Sequence, residues 1–275
     1  MGVAILGDSA TAHFRIPPTY LTAKTLSLGT FSGLLRNIEN ELDFPMLSWS
    51  TGHVEASVYA PDIDGPMDSI YKRLRDNNLC NNNDYQNLGV NGANSGDLLD
   101  FGTILSRDAD SSALPTKPLL LFMAMIGNDV CNKQVTSKTT PEEYHQNVLK
   151  SILELDPRLP KGTKVVLIGL VDGRILYDSM HDRIHPIGST NNDVTFGTFY
   201  DYLNCLEVSP CAGWMNSDES VRDALSATAE EMRNKLPIVI EETRGQLENI
   251  EVFYLGDVLN DAIHHFLSQD GNFGW

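Results

Sequence analysis

The sequence predicts an α/β fold, a mostly parallel sheet with helices on both faces, and three observations carry that prediction. Short apolar runs recur along the chain, segments of helical period lie between them, and polar, turn-forming clusters follow three of the runs directly. Strands that alternate with helices need crossover connections, which set parallel strands side by side.

Residues 3–6, Val3-Ala4-Ile5-Leu6, have the uninterrupted apolar character of a strand buried on both faces and end at Gly7-Asp8-Ser9. Residues 119–125, 165–170 and 250–255 share that character, and the shorter stretch 85–88 supplies a fifth strand. Thr140-Pro141-Glu142-Glu143 is a capping box with proline at the first helical position, after which Tyr144, Val148, Leu149, Ile152 and Leu155 fall on one face. Val221, Leu225, Ala229, Met232 and Leu236 repeat at helical spacing, with Ser217 the expected cap and Pro237 the expected break or kink. Residues 34–42, 96–105, 199–205 and 258–267 are further helix candidates. Stretches 49–68 and 176–195 read as irregular excursions. With 275 residues, no internal repeat and no low-complexity segment, one domain over residues 1–275 is expected.

Composition bounds the function. A hydrophobic fraction of 41% and a charged fraction of 21% are ordinary for a globular protein. The net charge of -17, from 20 basic against 37 acidic residues, argues against a nucleic-acid partner, because neutralising phosphates needs clustered lysine and arginine. No run reaches the ~18 apolar residues of a membrane-spanning helix, and the first residues lack the pattern of a signal peptide. Cys80, Cys131, Cys205 and Cys211 fit neither a zinc knuckle nor a redox CxxC; they allow two disulfides in three connectivities, or four reduced thiols in a cytosolic protein. Asp62-Ile63-Asp64-Gly65 with Asp68 lacks the later ligands of a calcium loop and reads as a solvated acidic turn.

Ligands of an open α/β sheet bind at the carboxyl ends of its strands, and three polar clusters stand there. Gly7-Asp8-Ser9 follows the first strand and can present a serine hydroxyl at the top of the sheet, as a nucleophile or as a helix cap. Asn87-Leu88-Gly89-Val90-Asn91-Gly92-Ala93-Asn94-Ser95 follows the second; glycine there lets a backbone N–H approach a reacting oxygen, although Asn and Gly are also common turn residues. Gly127-Asn128-Asp129 follows the third and offers a side-chain amide as a further donor. Each cluster alone is weak, and the ordered set is what matters.

In that order the motifs resemble the GDSL, or SGNH, hydrolases. The resemblance implies a flavodoxin-like three-layer α/β/α sandwich on a five-stranded sheet, with Ser9 as catalytic nucleophile and an oxyanion hole formed by Ser9, Gly92 and Asn128. The flanking sequence, Gly7-Asp8-Ser9-Ala10-Thr11-Ala12-His13-Phe14, Ala124-Met125-Ile126-Gly127-Asn128-Asp129-Val130-Cys131 and Leu203-Asn204-Cys205-Leu206-Glu207-Val208-Ser209-Pro210-Cys211-Ala212-Gly213-Trp214, is similar to the acyloxyacyl hydrolase family within that group. This implies release of secondary fatty acyl chains from the lipid A of lipopolysaccharide, and a secreted or lysosomal setting. It also implies a saposin-like small subunit and a calcium-binding segment, both outside this chain. Asp8 and His13 belong to the matched motif and are candidate substrate-site residues. In the oxidising setting so implied, Cys205 and Cys211 need not be partners, and one cysteine is a candidate to pair with a cysteine outside the chain.

The general base of a serine triad is a histidine oriented by an aspartate. The family carries both in a DxxH block, which the resemblance puts beyond Trp275, so this stretch alone is expected to be weak or inactive. Two internal DxxH patterns imitate the block: Asp182-Arg183-Ile184-His185 lies before the 199–205 helix, and Asp261-Ala262-Ile263-His264 lies within one. A generic SGNH lipase or carbohydrate esterase, and a non-catalytic lipid-binding fragment, remain as alternative readings.

Overall fold

The structure is a computed structural model and describes residues 1–31, 41–59, 66–105, 117–131 and 134–269. Among the described residues five strands, β1 (Gly2–Gly7), β2 (Tyr85–Gly89), β3 (Leu119–Ala124), β4 (Thr163–Leu167) and β5 (Ile250–Tyr254), form one sheet in the order β2-β1-β3-β4-β5. Every pairing is parallel. This is the flavodoxin-like order, in which the winding reverses beside β1 and leaves a crevice at the carboxyl ends of β1 and β3.

Alternation along each strand feeds two cores. Ala4, Leu6, Leu121, Met123, Val165 and Leu167 pack with Leu98 of α3 (Leu98–Ile104), Val148 and Ile152 of α4 (Pro141–Leu155), and Leu225 and Met232 of α7 (Glu219–Thr243). Val3, Ile5, Phe122 and Val166 point the other way, toward Tyr71 of α2 (Ile70–Asn77) and Leu259 of α8 (Val258–Gln269). The result is the three-layer sandwich, each fully buried Leu or Ile contributing roughly 1.5–3 kcal/mol. Further helices are α1 (Ser9–Ala12), α5 (Arg174–Met180) and α6 (Phe196–Cys205), with short helical turns at Pro18–Leu21 and Ala56–Tyr59.

Several boundaries differ from the sequence expectation for identifiable reasons. β3 stops at Ala124 because the N–H groups of Ile126 and Gly127 bond the Asp8 carboxylate rather than a neighbouring strand. β4 starts two residues earlier and ends three residues earlier than the apolar run 165–170; Ile168 still donates to the Met123 carbonyl before the chain turns away. Asp218, not Ser217, caps α7 by accepting from the Ser220 N–H at 2.9 Å. Pro237 neither breaks nor ends α7, which continues to Thr243. An interior proline costs a helix about 3 kcal/mol, and burial of Leu236 and Val239 on either side offsets it. The excursion at 176–195 begins inside α5 and returns through an isolated antiparallel bridge between Ile184 and Thr195. The 96–105 candidate starts as a 3-10 turn, Ser95–Asp97, before α3. Most of the 34–42 helix candidate and the Asp62-Asp64-Gly65 turn lie outside the described residues.

Candidate active site

Two glycines seat α1 directly on the strand ends. Gly7 and Gly89 are register partners on β1 and β2, and a Cβ on either would collide with the side chain of Thr11, which is fully buried between them. Thr11 donates its hydroxyl to the Asp8 carbonyl at 2.7 Å. Asp8 itself caps α1: one carboxylate oxygen accepts from the Ala10 N–H at 3.0 Å, and the other from the N–H groups of Ile126 at 2.7 Å and Gly127 at 3.1 Å. That carboxylate therefore fastens the end of β1 to the end of β3. Burial pushes its pKa up to about 6, against the pull of these three donors and with some help from the charge of Asp129.

Because Asp8 does the capping, Ser9 is left as the first helical residue. Neither its hydroxyl nor its N–H has a hydrogen-bond partner among the described residues, and it stands at a helix N-terminus, where developing negative charge is favoured. Gly92 tops the loop after β2 at φ +77°, with open space where a side chain would be and an N–H likewise unpartnered among the described residues. Asn128 follows β3; its amide nitrogen donates to the Ala93 carbonyl at 2.9 Å, which leaves a second N–H for another acceptor.

The two donor loops are tied together underneath. Asp129, fully buried, accepts from the Ser95 N–H at 3.0 and 3.1 Å and from the Ser95 hydroxyl at 2.6 Å, and Asn147 donates to that hydroxyl at 3.0 Å. Asn87 on β2 donates to the Thr11 carbonyl and to the Thr51 hydroxyl, both at 2.9 Å, which fixes β2 to α1. Burial raises the Asp129 pKa, while its bonds from Ser95 and Thr139 oppose the rise. The sequence reading missed Asp129, Ser95, Thr11 and Asn87 as site-builders. Short polar residues in loops leave no periodic trace; only the placement of Asn87, Ser95 and Asp129 within the predicted clusters hints at them.

A cavity of about 660 Å³ opens over these elements, and Ser9, Gly92 and Asn128 all line it. Phe14, Cys131 and Pro210 give it apolar wall, and Asn91, Gln134, Ser137 and Glu207 polar wall. Asp8 and His13 are not on that wall. Asp8 lies beneath the serine, 2% exposed. His13 closes α1 in the left-handed conformation, φ 55°, and burial, followed by the charge of Arg15, lowers its pKa; its neighbour Phe14 reaches the cavity instead.

No histidine borders the cavity among the described residues. His185 is buried against Phe199 at a centroid distance of 4.1 Å and against the edge of Phe196, and its Nδ1 accepts from the Ile187 N–H at 3.2 Å. Burial lowers its pKa, as suits a neutral packed ring. His264 is exposed on α8. Among the described residues no group of three or more His, Cys, Asp or Glu converges as a metal site.

A disulfide between Cys131 and Cys211, Cα atoms 4.8 Å apart, ties the loop after β3 to the segment after α6. This settles which of the four cysteines pair within the described residues; Cys80 and Cys205 are exposed thiols. Trp214, just beyond, is buried against Gly127 and Gly173; a Cβ on Gly173 would overlap its ring, and one on Gly127 would come within 3.1 Å.

Comparison with known proteins places the chain among relatives by sequence. The model of the GDSL-like lipase/acylhydrolase family matches residues 3–273. The chain is 40% identical over 273 residues to the acyloxyacyl hydrolases of Mus musculus and Homo sapiens, and 39% identical over 274 residues to that of Oryctolagus cuniculus. Each alignment covers 98% of this chain and 46% of the relative, so the chain spans about half the length of the curated relatives it matches.

Proposed function

The chain belongs to the GDSL-like lipase/acylhydrolase family, and from that premise we propose that it carries the catalytic serine of a carboxylic-ester hydrolase. The substrate of the full-length protein is lipopolysaccharide, from whose lipid A it releases secondary, acyloxyacyl-linked fatty acyl chains. The observation that carries this reading is the unpartnered Ser9 hydroxyl in a cavity it shares with Gly92 and Asn128.

In the reaction, Ser9 Oγ gives its proton to a general base and attacks the ester carbonyl carbon. The carbonyl oxygen becomes an oxyanion facing the N–H groups of Ser9 and Gly92 and the free amide N–H of Asn128. Collapse expels the alcohol oxygen, which takes a proton from the protonated base. Water then attacks the acyl-enzyme through a second such intermediate, releasing the fatty acid and restoring Ser9. Asp8 and Asp129 hold the donors in place from below.

In this reading the general base is a histidine oriented by an aspartate, in a DxxH block outside residues 1–275. A saposin-like small subunit and a calcium-binding segment complete the full-length protein. The Cys131–Cys211 disulfide supports a secreted or lysosomal setting, and no helix among the described residues is long and apolar enough to cross a membrane.

The test is fatty-acid release from lipopolysaccharide by the full-length protein and by its Ser9→Ala variant. Release by the former and background release by the latter is expected. Equal release by both removes Ser9 as nucleophile.

A further inference from the structure

Gln134 and Glu207 stand on the cavity wall with Ser9, yet the chemistry above uses neither. They come from two segments, the loop after β3 and the turn after α6, and Gln134 Nε2 donates to Glu207 Oε2 at 3.3 Å. The Cys131–Cys211 disulfide joins the same two segments, and Cys131 lines the same cavity. The wall away from the strand ends is therefore a strap, held once covalently and once by this polar pair.

Glu207 is also in the wrong conformation for a glutamate. Its φ is +57°, the left-handed region that glycine occupies freely and longer side chains occupy at a cost. The position explains the backbone but not the residue. The Glu207 N–H bonds the Asn204 carbonyl at 3.0 Å and the Val208 N–H bonds the Leu203 carbonyl at 3.0 Å, a helix C-terminal closure whose usual occupant is glycine. A strained side chain kept on the wall of a reaction cavity points to use of that side chain.

We propose that Glu207, oriented by Gln134, is a specificity-determining residue that limits the length of acyl chain accepted beside Ser9; this rests on the ester-hydrolase reading above. Phe14, Cys131 and Pro210 offer an alkyl chain apolar contact. Glu207 and Gln134 are exposed at the rim of the cavity, so a chain long enough to reach them meets a hydrated polar pair in place of further apolar wall and displaces part of its water without replacing those hydrogen bonds, a penalty that offsets what further methylene burial returns. Chains that end short of the pair avoid it. The strap fixes where the penalty falls, because the disulfide prevents the two segments from moving apart.

The experiment measures kcat/KM of the full-length protein for a series of saturated acyl esters, short to long, in wild type, Glu207→Gly, Gln134→Ala and Ser9→Ala. Glu207→Gly removes the carboxylate while supplying the residue the backbone prefers, so its thermal midpoint is expected to stay or rise, which excludes misfolding as the cause of any change. The expected result is a rise of roughly tenfold to a hundredfold in the long-to-short ratio for Glu207→Gly, in the range that pocket contacts discriminate alkyl chains. A smaller shift in the same direction is expected for Gln134→Ala. Equal ratios in wild type and Glu207→Gly, or an equal loss at every length, overturns the proposal while leaving the ester-hydrolase reading intact. Hydrolysis that survives in Ser9→Ala removes Ser9 as nucleophile, and none in wild type overturns the ester-hydrolase reading; either result takes this proposal with it.

Discussion

The carboxylate of Asp129 accepts both the backbone N–H and the hydroxyl of Ser95, the latter at 2.6 Å, and so locks the loop that carries Gly92 to the loop that carries Asn128. The two side-chain and backbone donors of the proposed oxyanion hole thus share one buried anchor.

Replacing Asp129 by Asn keeps the shape but turns one acceptor oxygen into a donor facing Ser95. Loss of a buried, charge-assisted bond costs about 1.5–3 kcal/mol. Asp129→Asn should lower the urea midpoint accordingly and reduce kcat more than it raises KM. An unchanged midpoint would show that Asp129 does not carry the lock.

Asp8 gives stability an unusual pH dependence. Folding raises its pKa from 3.8 to about 6 through burial, so between those values the folded state binds more protons than the unfolded chain. Stability then falls as pH rises through that window, by about 3 kcal/mol in all at ~1.4 kcal/mol per unit. Asp129, raised by burial as well, adds in the same direction. Denaturation of wild type and Asp8→Asn at points between pH ~4 and pH ~7 should show the wild-type advantage shrinking with pH; an advantage that grows would reverse the assignment.

Gly92 and Asn128 should separate stability from catalysis. Gly92→Ala meets open space but a φ of +77°, so it should cost about 1–2 kcal/mol of stability while keeping its N–H and most of kcat. Asn128→Ala removes a donor and should lower kcat by roughly a hundredfold to a thousandfold. Steady-state kinetics and thermal melts of the pair test this together.

The Cys131–Cys211 bridge closes a loop with a sequence separation of 80. Replacing both cysteines by serine should cost about 2–4 kcal/mol and loosen the cavity wall, seen as a lower melting temperature and a raised KM. A melting temperature equal to wild type would mean the bridge does not form.

Much of this site was readable in the sequence. Ser9 and Asn128 follow apolar runs that read as buried strands, Gly92 follows the shorter stretch 85–88, and the end of a parallel strand is where an α/β protein places its chemistry. The long helices were legible for the same reason, periodic burial. What periodicity does not encode was missed. Pro237 reads as a helix break because local rules cannot see the core that holds both sides of it. Asp8 reads as a substrate-site candidate because its partners, Ile126 and Gly127, lie more than a hundred residues away. The pairing of Cys131 with Cys211 is equally nonlocal, one of several arrangements the spacing allows.

The central claim, that Ser9 is the nucleophile, is tested most directly by treating the full-length protein with a serine-reactive phosphonate and mapping the adduct by mass spectrometry. The expected adduct is on Ser9, absent in Ser9→Ala and slowed about a hundredfold in Asn128→Ala. An adduct on another serine, or labelling that persists in Ser9→Ala, would contradict the account.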